Sequence, residues 1–152
     1  MILEKSSSDS VKGDFTISTD KARLDLSAIH DYLANDSHWG RNISISIVQI
    51  SIDNSLCFGV YHKNRQVGFA RVITDYATFA YIADVFIIPA FRGQQLAKWL
   101  METIINYPQL HGLRRWCLNT RDAHSLYAKY GFRSVSKPES YMEIYCPDIY
   151  SK

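Results

Sequence analysis

The residue types most able to do chemistry in this chain gather in a few places. One is the polar turn Arg92-Gly93-Gln94-Gln95, which follows the apolar run of residues 81–88 and precedes Leu96, Leu100 and Ile104 at helical spacing. A helix starting there leaves its first N–H groups free and carries the positive end of its dipole. Gly93 allows close approach to the backbone, so this junction can hold a phosphate. A strand–glycine–helix junction also arises for steric reasons alone. A second place is Asp84, an isolated acid inside the apolar run. An unpaired buried carboxylate is costly. Asp84 therefore either handles a proton, or serves as scaffold, paired with a nearby cation such as Arg71 or met by backbone donors. The three cysteines, Cys57, Cys117 and Cys146, stand far apart with no CxxC pair. That argues against a disulfide framework and against a zinc site, so no metal is expected. Cys117 lies mid-strand without a partnered histidine in sequence, and a covalent route through it is discounted.

The totals bound what surrounds these groups. A length of 152 residues fits one domain with a real core, here taken as 1–152 with residues 1–12 as a frayed polar lead-in. Hydrophobic residues make up 47% and charged residues 21%, ordinary for a globular protein. A net charge of +2 and a pI of about 8.4 are too mild to argue for nucleic acid, though they suit an anionic ligand. No apolar run reaches membrane-spanning length, and the N-terminus lacks a signal-peptide core. The expectation is a cytoplasmic protein with no membrane partner.

The elements that must position the reactive groups follow from periodicity. Residues 14–18 alternate as a short strand. Leu24, Leu26, Ile29, Tyr32 and Leu33 mark an amphipathic helix over roughly 25–35, followed by a loop over 35–40. Over 43–54, Ile43, Ile47 and Ile50 share a helical face, yet ISISIVQISI also alternates like a strand. Residues 56–62 and 66–74 read as a hairpin, and 78–88 as a long central strand. Both faces of that strand are apolar, as expected where helices cover both sides of a sheet. A helix over 93–107 ends before Pro108, a strand covers 113–119, and a helix over 122–130 closes at Gly131 in a left-handed cap position. Residues 132–135 and 141–145 read as two final strands.

Residues 85–97, which include Arg92, Gly93, Leu96 and Ala97, resemble the acetyl-CoA signature of the GNAT N-acetyltransferase superfamily. Gln95 stands where the family most often has its central glycine. Ala123-His124-Ser125-Leu126-Tyr127-Ala128-Lys129-Tyr130-Gly131-Phe132 resembles the family's AxxLYxKxGF segment. The element order β-α-α-β-β-β-α-β-α-β-β matches the family architecture over nearly the whole chain, and this tips residues 43–54 to helix. The resemblance implies an α/β (α+β) fold: a mixed, mostly antiparallel central sheet of about six to seven strands flanked by about four helices.

It also implies a function. Acetyl-CoA would serve as co-substrate, its pantetheine arm along Val85, Phe86 and Ile87 and its pyrophosphate on the turn formed by Arg92, Gly93, Gln94, Gln95, Leu96 and Ala97. The strands 78–88 and 113–119 would splay to admit the thioester. A small-molecule primary amine would attack directly in a ternary complex. From periodicity alone, Ala123, Leu126, Tyr127 and Tyr130 form a plain core stripe. The resemblance instead places the Tyr127 hydroxyl near the cofactor sulfur as general acid, a role that suits a thiolate leaving group. Many members have an asparagine upstream of that tyrosine; here the position is Thr120 with Asn119 beside it, and Thr120 could equally cap the helix. Asp84 is the first candidate to take a proton or hold the ammonium, and His38 and His124 are others. Trp39 could wall the acceptor pocket or anchor the second helix. Tyr141 could line that pocket or pack on the sheet. The rival readings are a non-catalytic CoA-binding or sensing module and an acetyltransferase of protein or peptide amines. A homodimer is compatible with the family habit.

Overall fold

The computed structural model describes residues 9–151. Its centre is a six-stranded sheet in the order β1 (Ser10–Lys12), β2 (Phe15–Ser18), β3 (Leu56–His62), β4 (Arg65–Thr74), β5 (Phe79–Ile87) and β6 (Arg115–Leu118). Neighbours from β1 to β5 pair antiparallel, and β5 pairs parallel with β6. The helices are α1 (Leu26–Asp31), α2 (Ile45–Asp53), α3 (Leu96–Ile105) and α4 (His124–Ala128). This is the expected mixed α/β architecture.

The side-chain alternation of the strands divides the core between two faces. On one face Phe58, Val60, Ala70, Val72, Ala80 and Ile82 pack with Leu100, Met101 and Ile104 of α3. On the other, Cys57, Phe69 and Phe86 pack with Ile29, Leu33, Val48 and Ile52 from the α1 and α2 side. The first two helix starts have a local cause. Asp25 Oδ1 accepts from Ala28 N at 3.0 Å to open α1, and Ser44 Oγ accepts from Ile47 N at 3.4 Å to open α2. Burial on the α1 and α2 layer settles the ambiguous 43–54 stretch as a helix, because its packing outweighs its β-branched content.

Three expectations need correction. The face of α2 that enters the core carries Val48 and Ile52, whereas Ile47 and Ile50 are exposed, at 40% and 61%. Residues 10–12 are not lead-in but the edge strand β1, while the rest of the expected lead-in up to residue 8 lies outside the described residues. Residues 132–135 and 141–145 form no strands. Alternating side chains show that a segment is compatible with a strand, but a strand also needs a partner. Here Pro138 opens a short 3-10 turn, Pro138–Ser140, and the chain beyond it does not join the sheet. Gly131 does take the left-handed conformation, at φ 93°.

Candidate active site

The sheet splits where the chemistry was expected. The parallel pairing of β5 with β6 runs from Phe79 and Arg115 to Ile82 and Leu118, and stops there, while β5 continues to Ile87. Within the unpaired stretch, β5 is one residue longer than its other neighbour: Phe69 faces Phe86, but Arg71 faces Ala83. The extra residue makes a bulge at Asp84, whose φ is +54°. A bulge re-aims a side chain, and here it points the carboxylate of Asp84 at two donors. Arg71 Nε donates to Oδ2 at 2.8 Å and Trp39 Nε1 donates to Oδ1 at 2.9 Å. Arg71 Nη1 also donates to Ser55 Oγ at 3.1 Å. Asp84 is therefore ion-paired with Arg71, the scaffold partner named from the sequence, and that pair is largely sheltered from water.

Beyond the bulge, Ile88 N–H bonds Val67 O at 2.9 Å. By strand alternation Phe86 faces β4 too, so the N–H groups of Val85 and Ile87 face the gap. Pro89–Phe91 then makes a 3-10 turn into the start of α3. Arg92, though exposed, folds back onto the strand that precedes it. Its Nε donates to Ile87 O at 2.9 Å and its Nη2 to Tyr32 Oη at 3.0 Å. The Tyr32 ring in turn stacks on Phe86 with centroids 3.9 Å apart. Arg92 is thus a clamp that fixes the shape of the turn. Gly93 and Gln95 are both left-handed, at φ 82° and 66°. Gln95 is the N-cap of α3 but makes no side-chain capping bond, so the first N–H groups of that helix stay available to a ligand.

A left-handed glutamine is strained by about 1–2 kcal/mol. Glycine relieves that strain but loses more chain entropy on folding. Gln95→Gly is expected to stabilise the protein by about 0.5–1 kcal/mol, read as a higher urea midpoint at unchanged slope. An unchanged or lower midpoint means that the glutamine side chain makes up for its own strain.

Two cavities meet in this region. One, of about 520 Å³, runs from the turn to α4 and is bordered by Val85, Phe86, Ile87, Arg92, Gly93, Gln95, Leu96 and Ala97. The other, of about 630 Å³, lies over the bulge and is bordered by Asp84, Asn119, Thr120, Asp122, Glu143 and Tyr145. Tyr127, Val85, His38 and Trp39 border both. Tyr127 is only 9% exposed. Burial pushes its hydroxyl above the ordinary tyrosine value, and the charge of Asp122 acts in the same direction. The phenol therefore stays protonated at neutral pH and can donate.

Most residues expected at the site are brought together, with some reassigned. Gln94 borders neither cavity; its Nε2 reaches back to Phe91 O at 3.4 Å. Asn119 and Thr120 border the cavity over the bulge rather than the turn. Thr120 Oγ1 accepts from Ala123 N at 3.0 Å, the capping alternative. Tyr141 does not reach the pocket: its ring lies 5.8 Å from the Arg115 guanidinium, on the far side of β6. Glu143 and Tyr145, later in the same segment, border the cavity instead. His124 borders neither cavity, and Cys117 faces a separate groove. Sequence alone does not point to Glu143 and Tyr145, because the alternation over residues 141–145 reads as a paired strand. Nor does it point to Tyr32, whose place in an apolar stripe hides a hydroxyl that holds Arg92.

Paired cavities that share a protonated tyrosine suit a group-transfer enzyme. Residues 26–132 match the acetyltransferase (GNAT) family. A Gibberella zeae protein named "putative acetyltransferase" is 31% identical, covering 78% of this chain and 78% of that protein. The crystal structure of a Xanthomonas campestris pv. campestris protein, described as a putative acetyltransferase of the GNAT family, is 48% identical with a TM-score of 0.90 and covers 93% of this chain and 100% of that one. A Clostridium acetobutylicum protein solved with acetyl-CoA shares the fold at 16% identity, with a TM-score of 0.63 over 86% of this chain and 94% of that one. This chain belongs to the GNAT family and is an acetyltransferase.

Proposed function

We propose that this enzyme moves the acetyl group of acetyl-CoA to the primary amine of a small molecule, by direct attack in a ternary complex. The observation that carries this reading is the buried, protonated Tyr127 at the meeting of the two cavities. The turn-side cavity fits the donor. The free N–H groups at the start of α3 and the left-handed Gly93 cradle its pyrophosphate, and the gap-facing N–H groups of Val85 and Ile87 meet its amide-bearing arm. Acetyl-CoA, when bound, supplies an activated acyl carbonyl and a thiol leaving group. A gap-facing N–H of β5 polarises that carbonyl, and the Tyr127 hydroxyl delivers a proton to the departing sulfur.

The cavity over the bulge supports a small acceptor. Its size is that of a pocket for a metabolite-sized ligand. Asp84, Asp122 and Glu143 border it, and among the described residues no lysine or arginine does. An alkylamine with a pKa of about 10 arrives mostly as a cation, which such a lining favours. It must lose a proton before attack; His38, which borders both cavities, or water can take it. The scattered free thiols suit a reducing cytoplasm. Among the described residues no helix is long and apolar enough to cross a membrane.

The test is a thermal-shift comparison of acetyl-CoA, CoA and ATP, followed by thiol release on an amine panel that includes cationic, neutral and anionic acceptors and a short peptide. Stabilisation by acetyl-CoA, with CoA release on cationic small amines, is expected. Stabilisation without release on any amine would favour a CoA-sensing module. Release only on the peptide would move the acceptor to protein amines.

A further inference from the structure

Two arginines border the cavity that runs from the turn to α4, and they differ in what already holds them. Arg92 is clamped, with Nε on Ile87 O and Nη2 on Tyr32 Oη. Arg121 is exposed and stands outside the ion pairs of the described residues, which are Arg23 with Asp9 and Arg71 with Asp84. Its backbone is nonetheless fixed. Thr120 Oγ1 accepts from Ala123 N at 3.0 Å and closes a tight turn around residues 121 and 122. At that turn the chain passes from one cavity to the other. Thr120 borders only the cavity over the bulge, and Arg121 only the one beside α3. Charge is sorted at the same point, because both arginines lie on the donor side and the acceptor side carries Asp84 and Glu143.

We propose that Arg121 pairs with a phosphate of the donor from the α4 end of the cavity, while the N–H groups at the start of α3 hold the donor from the turn. The inference rests on the reading of acetyl-CoA as donor, a molecule with a diphosphate and a 3′-phosphate. A guanidinium presents a planar fork of N–H groups that matches a phosphate, and it stays charged at any working pH. Arg92 commits two of its nitrogens to protein oxygens and shapes the turn. Arg121 has its whole fork to offer. Asp36 and Asp122 also border this cavity, so with His38 neutral its two arginines and two carboxylates cancel. Without Arg121 the lining is left with a net negative charge against a strongly anionic donor. Arg121 therefore supplies the local charge that admits this donor, a few residues from the acids that favour a cationic amine.

Isothermal titration calorimetry of the full chain with CoA, in the absence of any amine, tests the proposal. Arg121→Gln is expected to raise the dissociation constant about fivefold to tenfold, the loss of one charge-assisted contact. The difference from wild type is expected to shrink as salt is raised. Arg121 is exposed and outside any ion pair, so the variant keeps the thermal midpoint of the ligand-free wild type. Arg133→Gln is the control. It removes the same charge from the separate groove beside β6 and leaves the CoA dissociation constant unchanged. A parallel titration with 3′-dephospho-CoA assigns the phosphate. A penalty that disappears there puts Arg121 on the 3′-phosphate, and one that persists puts it on the diphosphate. Wild-type affinity for CoA in Arg121→Gln overturns the proposal. So does an equal loss in Arg133→Gln, which would make the effect one of overall charge. A wild-type chain that does not bind CoA at all overturns the donor reading together with it.

Discussion

Tyr127→Phe lowers kcat about a hundredfold, the lower end of what a positioned proton donor contributes, and leaves acetyl-CoA binding nearly unchanged. The ring, not the hydroxyl, fills the space between α4 and the core, where Tyr127 packs edge-on to Phe132 with centroids 6.1 Å apart. The phenylalanine variant keeps that packing and removes only the donor. The sign of the pH dependence follows from burial. Desolvation raises the Tyr127 pKa above the ordinary tyrosine value, so the protonated, active form persists as pH rises. Wild-type kcat should show no tyrosine-linked decline below that value, and Tyr127→Phe should lose whatever decline lies above it. The check is steady-state kinetics across alkaline pH with the thermal shift by acetyl-CoA measured in parallel. Full kcat in the variant removes Tyr127 from the chemistry. Loss of the thermal shift instead assigns it to donor binding.

Asp84→Asn is the second large effect, and it separates two roles. Asparagine tolerates the left-handed conformation that the bulge requires, so the backbone survives. What is lost is the charge facing Arg71 and the acceptor for Trp39. A guanidinium left without its partner in a sheltered place costs about 2 kcal/mol, seen as a lower urea midpoint. Both carboxylate oxygens already accept hydrogen bonds, which suits a residue that fixes Trp39 and attracts an ammonium better than one that shuttles protons. The expected kinetic outcome is about a tenfold rise in KM for the amine with kcat little changed, the loss of one charged contact. Arg71→Met should weaken amine binding in the same direction, because it frees the same carboxylate to move. A hundredfold fall in kcat for Asp84→Asn, with Arg71→Met near wild type, would make Asp84 the proton acceptor instead.

Much of this was legible in the residues, and the exceptions share a cause. The strand expected over 56–62 is β3, Leu56–His62, because a continuous apolar run between turn residues leaves little freedom of placement. The turn at Arg92 and Gly93 was legible because glycine and proline punctuate the chain on both sides. The bulge at Asp84 was not. Its sequence shows an acid in an apolar strand, but one extra residue on β5 is a property of the pairing with β4, which local spacing does not encode. The same holds for Arg92, which local spacing places in the turn but whose side chain is held by Tyr32, 60 residues away in sequence. The final segment differs for the complementary reason: it alternates like a strand, but among the described residues no partner strand pairs with it.

The parallel contact between β5 and β6 has a consequence for how the molecule folds and breathes. The strands β3, β4 and β5 follow one another through short turns and can zip up locally. The junction with β6 must wait for α3 and the 3-10 turn at Pro108–Leu110, and it then joins only four residues of each strand. Pairing that closes a long loop forms late and opens easily. The gap beside β5 is therefore built next to a short, late-forming seam of the sheet, where a strand can shift sideways without disturbing the register of the rest. A scaffold of this kind can change the width of its acceptor pocket over evolutionary time while its donor cradle, fixed on the firmer side, stays as it is.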